Sequence, residues 1–342
     1  KVLGFLGDVV QLAITGTTGL GTLAGNLANS RYNRAASERA YADSRADTAW
    51  EQRMKELQRQ DSLTQQQYKN ELAEREYQDT LRQQQFSNDL ASEKLDIAKA
   101  TADAVDGRIQ VVASGHTADD KATQFKELED MMQIKGIGAY VLVSNRLDQK
   151  NEGEAVFEAN AQEIFDRYPE IDFGIYECPM PWKRLVSTEF LRHAGEEGRM
   201  VFLKDTCCDY ELVRQRQAAV AGTPLKIFNA NAQSWFDSCV HGAAGYSGVM
   251  ANFHPDLYKW AFDHKDTDYE KARLVADFLT TAAMIEMRVY PCSAKYYQNK
   301  YAVPMSTFAR SNDRAKLDKN AMGEVESMRA CEQYVRKQIG LL

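Results

Sequence analysis

The sequence predicts an α/β protein built as a (β/α)8 barrel, the TIM-barrel architecture, with a long helical segment on its N-terminal side. Two observations lead to this prediction. From residue 109 onward, short β-branched or apolar runs alternate with helical stretches, as in consecutive βα units of a parallel sheet. Before that point, residues 27–105 contain neither Gly nor Pro and are rich in Gln, Glu, Arg, Lys and Ala, which favours helix.

The predicted strands start roughly 20 to 33 residues apart, which leaves room for one helix between each strand and the next. Six such units favour a barrel over a doubly wound sheet, and no Gly-x-Gly-x-x-Gly turn follows the first strand to support dinucleotide binding. A closed barrel needs eight strands, and residues 9–15 supply one further candidate. Either the first strand is missing, so that the barrel is open or completed by another segment, or the N-terminal third does something unrelated. The six strands are predicted at 109–114, 139–144, 172–176, 200–204, 224–229 and 246–250.

The remaining elements are predicted to be helical. Apolar residues of the polar segment recur on two opposite stripes between Leu63 and Leu95, which suits a helix packed on both sides and predicts a homo-oligomer. A solvated helix with scattered apolar residues is the alternative. Helices at 255–264, 268–288 and 321–338 would cover the outside and the end of the barrel. The chain therefore divides into a small-residue-rich apolar segment 1–28, a polar helical segment 29–106 and a barrel domain 107–342.

Charge and cysteine content argue against several classes of protein. The net charge is -7 at pH 7, whereas binding to nucleic-acid phosphates needs clustered Lys and Arg, so we expect a small-molecule ligand and no nucleic-acid partner. No run of about 18 apolar residues occurs, so we expect no membrane span. The six cysteines show no Cys-x-x-Cys spacing, which favours free thiols, a reducing compartment and a cytoplasmic location.

Lys204 is the strongest candidate for chemistry. It ends the predicted strand 200–204, and strand alternation puts it on the same face as Phe202. If that face points into the barrel, the amine stands at the carboxyl end of the strand, where barrel enzymes keep their active sites. Burial there lowers the pKa of an amine and frees it to attack a carbonyl group. A solvated lysine in the loop after the strand is the alternative.

Tyr176 ends the preceding strand and is the second candidate. Neighbouring strands lie about 4.8 Å apart, so its hydroxyl can approach the substrate atom that the Lys204 amine attacks. The phenol would then relay protons as a general acid and base while a carbinolamine forms and collapses. A tyrosine at the barrel rim, with its hydroxyl in water, is the alternative.

Three motifs in order carry a resemblance to a known family. They are Tyr176-Glu177-Cys178-Pro179, Lys204-Asp205-Thr206 and the segment 242–255, GAAGYSGVMANFHP. Over residues 107–315 the chain resembles the dihydrodipicolinate synthase and N-acetylneuraminate lyase family. The resemblance implies a (β/α)8 barrel, usually oligomeric, in which Lys204 forms a Schiff base with pyruvate or another 2-keto acid and Tyr176 shuttles protons. It implies no metal and no organic cofactor.

Further candidate residues follow from this resemblance and from position. In the family, a Gly-Thr-Thr-Gly turn holds the carboxylate of the keto acid, and residues 16–19 match it, so Thr17 and Thr18 are candidate carboxylate ligands. Other parts of the substrate would lie near the ends of three predicted strands. The candidates for contact there are Asn229, Asn231, Ser247 and Trp182.

Two departures from the family bear on the substrate. Its synthases place an arginine two residues after the proline of the tyrosine motif, where this chain has Pro181, and residues 144–147 replace a tyrosine-bearing turn. The sequence therefore favours an aldolase or lyase that acts on a keto acid together with an aldehyde or a sugar acid, and not the lysine-biosynthetic reaction. An assembly protein that oligomerises through its N-terminal helix, with a catalytically silent barrel, is the alternative.

Overall fold

A computed structural model describes residue 89 and residues 91–342, together with residues 53, 55, 56, 59 and 60. The chain divides into two units, Lys1–Asn88 and Asp89–Leu342, and the fold given below is that of the second unit. The predicted strand 9–15, the Gly-Thr-Thr-Gly turn and most of the two-striped helix lie outside the described residues. The homo-oligomer, the assembly hypothesis and the three-segment division of the chain therefore stay predictions.

Six parallel strands form one curled sheet, and each strand pairs with the next in chain order. This sequential order is typical of a barrel wall, because a doubly wound sheet reverses its strand order at a switch point. The predicted α/β class is therefore confirmed, as a half-barrel among the described residues and not as a closed ring of eight strands. The strands are β1 (Val111–Ala113), β2 (Ile137–Val143), β3 (Phe173–Tyr176), β4 (Met200–Asp205), β5 (Lys226–Asn229) and β6 (Gly245–Tyr246).

The last predicted strand is the one that the structure changes most. Strand β6 ends at Tyr246, and Val249–Asn252 forms a 3-10 turn, so the prediction of strand over 246–250 is wrong beyond its first residue. A Cβ on Gly248 would lie 2.1 Å from the Tyr246 hydroxyl and 2.6 Å from the Ala230 carbonyl oxygen. The Tyr246 side chain and the backbone that follows β5 therefore leave no room for a side chain at position 248.

Helices connect the strands and extend the chain beyond β6. None of the helices in the described part of the chain combines the length and the apolar character needed to cross a bilayer. Residues 91–105 form helix α1. The others are α2 (Lys121–Met132), α3 (Ser144–Leu147), α4 (Glu154–Arg167), α5 (Thr188–Glu196), α6 (Tyr210–Ala219), α7 (Trp235–Val240), α8 (Pro255–His264), α9 (Tyr269–Ala282), α10 (Cys292–Tyr301) and α11 (Lys319–Gln338).

The C-terminal helices agree with the prediction except in two places. The predicted helix 255–264 matches α8 at both ends, and α11 begins two residues before the predicted 321–338. The predicted helix 268–288 ends as α-helix at Ala282 and continues as a 3-10 turn over Ala283–Met287. Helix α10 was not predicted, because its polar and aromatic sequence shows no clear helical period.

Side-chain caps fix where several of these helices begin. Asp120, Ser187, Asp209 and Asp268 each precede a helix and accept a hydrogen bond from a backbone N–H in its first turn. Each cap satisfies a donor that a helix start otherwise leaves unpaired. The cap at Asp209 determines where α6 begins, and α6 carries a buried arginine that contacts the site described below.

The two faces of the sheet have different neighbours, because side chains alternate along each strand. Ile175 and Leu203 point outward into an apolar cluster with helices α2, α4 and α5, and both are fully buried. On the inner face, the ring of Phe202 lies 5.1 Å from that of Phe228. A Cβ on Gly174 would lie 2.8 Å from the Phe202 ring, so the glycine makes room for this aromatic layer.

A second apolar cluster lies beyond β6 and is built from helices α7 to α11. Its fully buried members include Trp235, Leu279 and Val325, which come from three of these helices. The cluster fixes the end of α9 and, with it, the 3-10 turn Ala283–Met287. That turn borders the cavity at the carboxyl end of the sheet.

Candidate active site

Lys204 and Tyr176 lie side by side at the carboxyl end of the half-barrel. The register of β3 and β4 pairs Tyr176 with Lys204 directly. Both side chains extend to the inner face, two residues beyond Gly174 and Phe202. The ammonium nitrogen of Lys204 lies 4.4 Å from the centre of the Tyr176 ring. The structure therefore brings together the amine and the phenol that the sequence singles out.

Burial determines the protonation of both groups. Loss of water lowers the pKa of Lys204, and the nearby Cys178 opposes this shift. Burial, together with Cys178, raises the pKa of Tyr176 to about 12. The aromatic face of Tyr176 favours the ammonium form of Lys204, as Cys178 does, and loss of water is the largest cause acting in the other direction. The site thus offers an amine that loses its proton more readily than an ordinary lysine, beside a phenol that keeps its proton at neutral pH.

A cavity of about 290 Å³ opens over this pair. A larger depression of about 430 Å³ lies at the amino end of β5, away from Lys204, so volume alone does not locate the site. Enzymes with parallel barrel strands place their chemistry at the carboxyl ends, which favours the smaller cavity. Besides Lys204 and Tyr176, it is lined by Pro179, Lys183, Thr206, Cys208, Ala230, Asn231, Ala232, Gln233, Gly248, Val249, Ala283 and Glu286.

A buried ionic network joins the residues that follow the catalytic candidates. Glu177 comes directly after Tyr176, and Asp205 comes directly after Lys204. Both carboxylates pair with the guanidinium of Arg216 on α6, and all three side chains are at most 1 % exposed. The Arg216 Nη2 donates to Glu177 Oε1 at 2.7 Å, and Arg216 Nη1 donates to Asp205 Oδ2.

Backbone hydrogen bonds extend this network to the loops at the cavity mouth. The Glu177 carboxylate accepts from the backbone N–H of Val186 at 2.8 Å and from that of Thr206 at 2.9 Å. The Thr206 hydroxyl donates to the Glu177 carbonyl at 2.7 Å. Apart from the Arg216 Nε, which has no hydrogen-bond partner in the described part of the chain, the polar side-chain atoms of this network have partners, and such bonds make their surroundings more rigid. Glu177, Asp205 and Arg216 therefore hold the ends of β3 and β4, and so the Tyr176–Lys204 pair, in a fixed relation.

Asn145 holds the loop that follows Tyr176. Its buried amide donates to the carbonyls of Cys178 at 3.1 Å, Met180 at 2.8 Å and Trp182 at 2.7 Å. This residue lies in the turn 144–147, where the sequence departs from the family's tyrosine-bearing turn. The segment 144–147 therefore orders the loop that follows β3.

Of the two asparagines after β5, one borders the cavity and the other does not. Asn231 lines the cavity, whereas Asn229 follows the inward-facing Phe228 and so points to the helix side. The Asn229 amide donates to the hydroxyls of Ser234 at 3.0 Å and Ser238 at 3.2 Å. Its oxygen accepts from the Asn231 backbone N–H at 2.8 Å. The expected rim position of Asn229 is corrected: it shapes the loop that presents Asn231.

The other expected substrate contacts also lie just off the cavity. The Ser247 backbone N–H donates to the carbonyl at the end of β5 at 2.9 Å, and the adjacent Gly248 lines the cavity in its place. Trp182 is half-buried in the loop after β3, and the next residue, Lys183, lines the cavity. The candidate carboxylate ligands of the Gly-Thr-Thr-Gly turn lie outside the described residues.

Two charged residues of the cavity were not predicted. The Lys183 ammonium donates to the Thr206 carbonyl at 2.6 Å. Glu286 enters from the 3-10 turn Ala283–Met287, and burial raises its pKa. No sequence pattern links Glu286 to the strand ends, because the C-terminal helices bring it there.

The described part of the chain has residues of the types needed for two further kinds of site, a metal site and an activated thiol. It contains no group of three or more His, Cys, Asp or Glu side chains placed to hold a metal ion. Burial, together with Asp205, raises the pKa of Cys207 to about 12, so this thiol stays protonated. Cys207 is thus an ordinary residue of the loop after β4, and the adjacent Cys208 lines the cavity.

Comparison with solved structures identifies the fold. A prophage protein of the dihydrodipicolinic acid synthase family from E. coli K12, in complex with pyruvate, matches with a TM-score of 0.61 and 17% identity over 72% of this chain and 82% of its own. Dihydrodipicolinate synthase from Thermotoga maritima matches with a TM-score of 0.58 and 17% identity over 73% and 82%. The protein CdNal from Clostridium difficile, in complex with mannosamine, gives 0.59 and 14% over 70% and 80%.

These matches establish the fold and leave the activity open. No protein-family model and no curated protein sequence matches the chain. The structural neighbours are members of the dihydrodipicolinate synthase and N-acetylneuraminate lyase family. The resemblance indicated by the three sequence motifs is therefore confirmed at the level of the fold.

Proposed function

We propose that this protein is a Schiff-base aldolase or lyase in which Lys204 binds pyruvate or another 2-keto acid and a carbon–carbon bond is made or cleaved. The observation that carries the proposal is the position of the Lys204 amine, 4.4 Å from the Tyr176 ring in a cavity at the carboxyl end of the sheet. The pyruvate complex of one structural neighbour supports the choice of keto acid.

The first step needs an uncharged amine. The lowered pKa of Lys204 increases the fraction of neutral amine at a given pH. The nitrogen lone pair attacks the keto carbon, the C=O electrons move to oxygen, and a carbinolamine forms. Loss of water from this intermediate leaves a protonated imine, and the lysine nitrogen then draws electrons from the neighbouring carbon.

Tyr176 acts as the general acid in this step. Its phenol is protonated at neutral pH, since burial and Cys178 raise its pKa to about 12. It donates a proton to the departing hydroxyl, which leaves as water, and is itself left as a phenolate. The buried ion pairs of Glu177 and Asp205 with Arg216 hold the phenol and the amine next to each other during this exchange.

The second step forms or breaks the carbon–carbon bond. The Tyr176 phenolate takes a proton from the carbon next to the imine, which leaves an enamine, and the enamine carbon then attacks an aldehyde. In the reverse direction, the bond breaks and the enamine carbon takes up a proton. Thr17 and Thr18 are proposed to hold the carboxylate of the keto acid, and Asn231 is proposed to contact a substrate hydroxyl from the cavity wall.

Trapping with borohydride tests the proposal. Reduction of an imine between pyruvate and the full-length chain adds the mass of one reduced pyruvate. We expect this adduct in the wild-type chain and in Lys183→Met, which removes the other lysine of the cavity, and no adduct in Lys204→Met. An adduct that persists in Lys204→Met and disappears in Lys183→Met would assign the chemistry to the wrong lysine and contradict the proposal.

A further inference from the structure

Glu286 differs from the other carboxylates near the site in having no partner. Glu177 and Asp205 are fully buried and each pairs with Arg216. Within the described residues, the Glu286 carboxylate is half-buried in the cavity wall and makes no hydrogen bond and no ion pair. A carboxylate removed from water without a partner costs free energy. Such a group in a cavity with a reactive lysine points to a ligand that supplies the missing hydrogen bond.

The surroundings of Glu286 favour its protonated form more than water does. Burial raises the pKa of its carboxyl group. The tyrosines that it influences electrostatically are Tyr246 on β6, Tyr258 on α8 and Tyr290 after the 3-10 turn, and burial raises the pKa of each of them. These phenols are neutral near pH 7 and do not compensate its charge.

The cations that share the cavity have other partners. Lys183 donates to the Thr206 carbonyl, and Lys204 lies over the Tyr176 ring. Lys204 also becomes an imine in the proposed reaction, which removes it as a partner for a carboxylate. A general acid works best when its pKa lies close to the working pH, and a carboxyl group with a raised pKa approaches that condition.

We propose that Glu286 is a further catalytic residue, which exchanges a proton with the hydroxyl at the newly formed carbon and so selects an uncharged hydroxyaldehyde as the reaction partner. This inference rests on the proposed Schiff-base function. In the addition direction, the enamine carbon bonds to the aldehyde carbon, the C=O electrons move to oxygen, and that oxygen takes the proton of the Glu286 carboxyl group. In the cleavage direction, the Glu286 carboxylate takes the hydroxyl proton, the C=O bond re-forms and the electrons of the carbon–carbon bond return to the enamine.

Partner selection follows from charge. Glu286 becomes a carboxylate as it gives up its proton, so an aldehyde with its own carboxylate would bring a second negative charge beside it, which disfavours the transition state for that aldehyde. An uncharged hydroxyaldehyde instead supplies hydroxyl donors to Glu286. Pro181 stands where the family's synthases carry an arginine for a dicarboxylic substrate, which points in the same direction.

The experiment separates the two steps of the reaction. The full-length chain is assayed for its borohydride-trapped pyruvate adduct, and separately for carbon–carbon bond formation between pyruvate and D-glyceraldehyde or succinate semialdehyde. The variants are Glu286→Gln, Glu286→Asp and the control Glu270→Gln, an exposed residue at the start of α9. Product formation is followed across a pH series.

We expect Glu286→Gln to form the adduct at the wild-type rate and to lose about 100-fold in product formation from D-glyceraldehyde, the scale of general acid catalysis. Glu286→Asp should recover part of this loss with a displaced pH profile. Glu270→Gln should match the wild-type chain. The wild-type chain should prefer D-glyceraldehyde to succinate semialdehyde.

Several results would overturn the inference and leave the Schiff-base proposal intact. They are an unchanged product rate in Glu286→Gln, a wild-type preference for succinate semialdehyde, and a wild-type chain that forms the adduct yet yields no product from D-glyceraldehyde. Loss of the adduct in Glu286→Gln would place the residue in the first step and contradict the inference as well. A wild-type chain without any adduct contradicts the Schiff-base proposal itself, and this inference fails with it.

Discussion

The ammonium nitrogen of Lys204 lies 4.4 Å from the centre of the Tyr176 ring, and the two residues are direct partners across β3 and β4. This arrangement makes the Tyr176 ring a part of the wall around the amine. Burial lowers the pKa of the amine. The proposed proton relay requires the Tyr176 hydroxyl to reach the oxygen that leaves during imine formation.

The pH dependence of trapping should report the lowered pKa of Lys204. Attack needs the neutral amine, so the rate of adduct formation with pyruvate should rise with pH and level off below 10.5, the ordinary value for a lysine. Initial rates of borohydride trapping at constant pyruvate concentration measure this profile. A rate that continues to rise to pH 10.5 would show that burial does not activate this amine.

Removal of the Tyr176 hydroxyl should slow the proton transfers and leave the fold unchanged. Tyr176→Phe keeps the ring beside Lys204 and deletes only the donor. We expect the rate of adduct formation to fall about 100-fold, with an unchanged circular-dichroism spectrum and melting temperature. Adduct formation at the wild-type rate in Tyr176→Phe would remove the phenol from the mechanism.

Loss of Arg216 should affect both stability and chemistry. Arg216→Met leaves Glu177 and Asp205 buried without a counter-charge, and breaking such a pair costs about 3–5 kcal/mol in the free energy of unfolding. Urea denaturation measures this cost. If the network holds the strand ends, the folded fraction of Arg216→Met should also trap pyruvate more slowly. The wild-type trapping rate per folded molecule would mean that the network is structural only.

Glu332 provides a prediction about stability at acidic pH. This residue is fully buried on α11. Burial opposes the ionisation of its carboxyl group, but hydrogen bonds from His254, Tyr297 and Arg336 outweigh this effect and lower its pKa to about 2. Because the folded pKa lies below the ordinary 4.5, the stabilisation is complete above that value and is lost as the pH falls towards 2.

Glu332→Gln should therefore lower the free energy of unfolding by about 3 kcal/mol at pH 7. The difference from the wild-type chain should shrink as the pH falls from 5 to 3. Urea denaturation at several pH values measures both quantities, with Glu270→Gln as an exposed control on α9. A difference that stays constant with pH would show that the charge of Glu332 does not cause the stabilisation.

The features that the sequence predicts correctly are local or periodic. The βα alternation, the end of β3 at Tyr176 and the helix 255–264 depend on short runs of residues, and the structure has them in these places. The register between strands is not local. Lys204 pairs with Phe228, so Asn229 pairs with Asp205 and both point outward, which a single sequence does not reveal.

The remaining site residues come from distant parts of the chain. The carboxylates of Glu177 and Asp205 follow the two catalytic candidates in the sequence, but nothing local selects Arg216 from the other cations as their partner. Glu286 reaches the cavity through the packing of α9 in the C-terminal cluster. Tertiary contacts of this kind depend on how whole elements pack, and no sequence period encodes them.

The central claim, that Lys204 is the nucleophile, is tested most directly by locating the reduced pyruvate in a peptide map of the wild-type chain. The chain is treated with pyruvate and borohydride, digested with protease and analysed by tandem mass spectrometry. We predict one modified residue, Lys204, carrying the mass of one reduced pyruvate. A modification confined to any other lysine, or complete absence of an adduct with pyruvate and with several other 2-keto acids, would contradict the account.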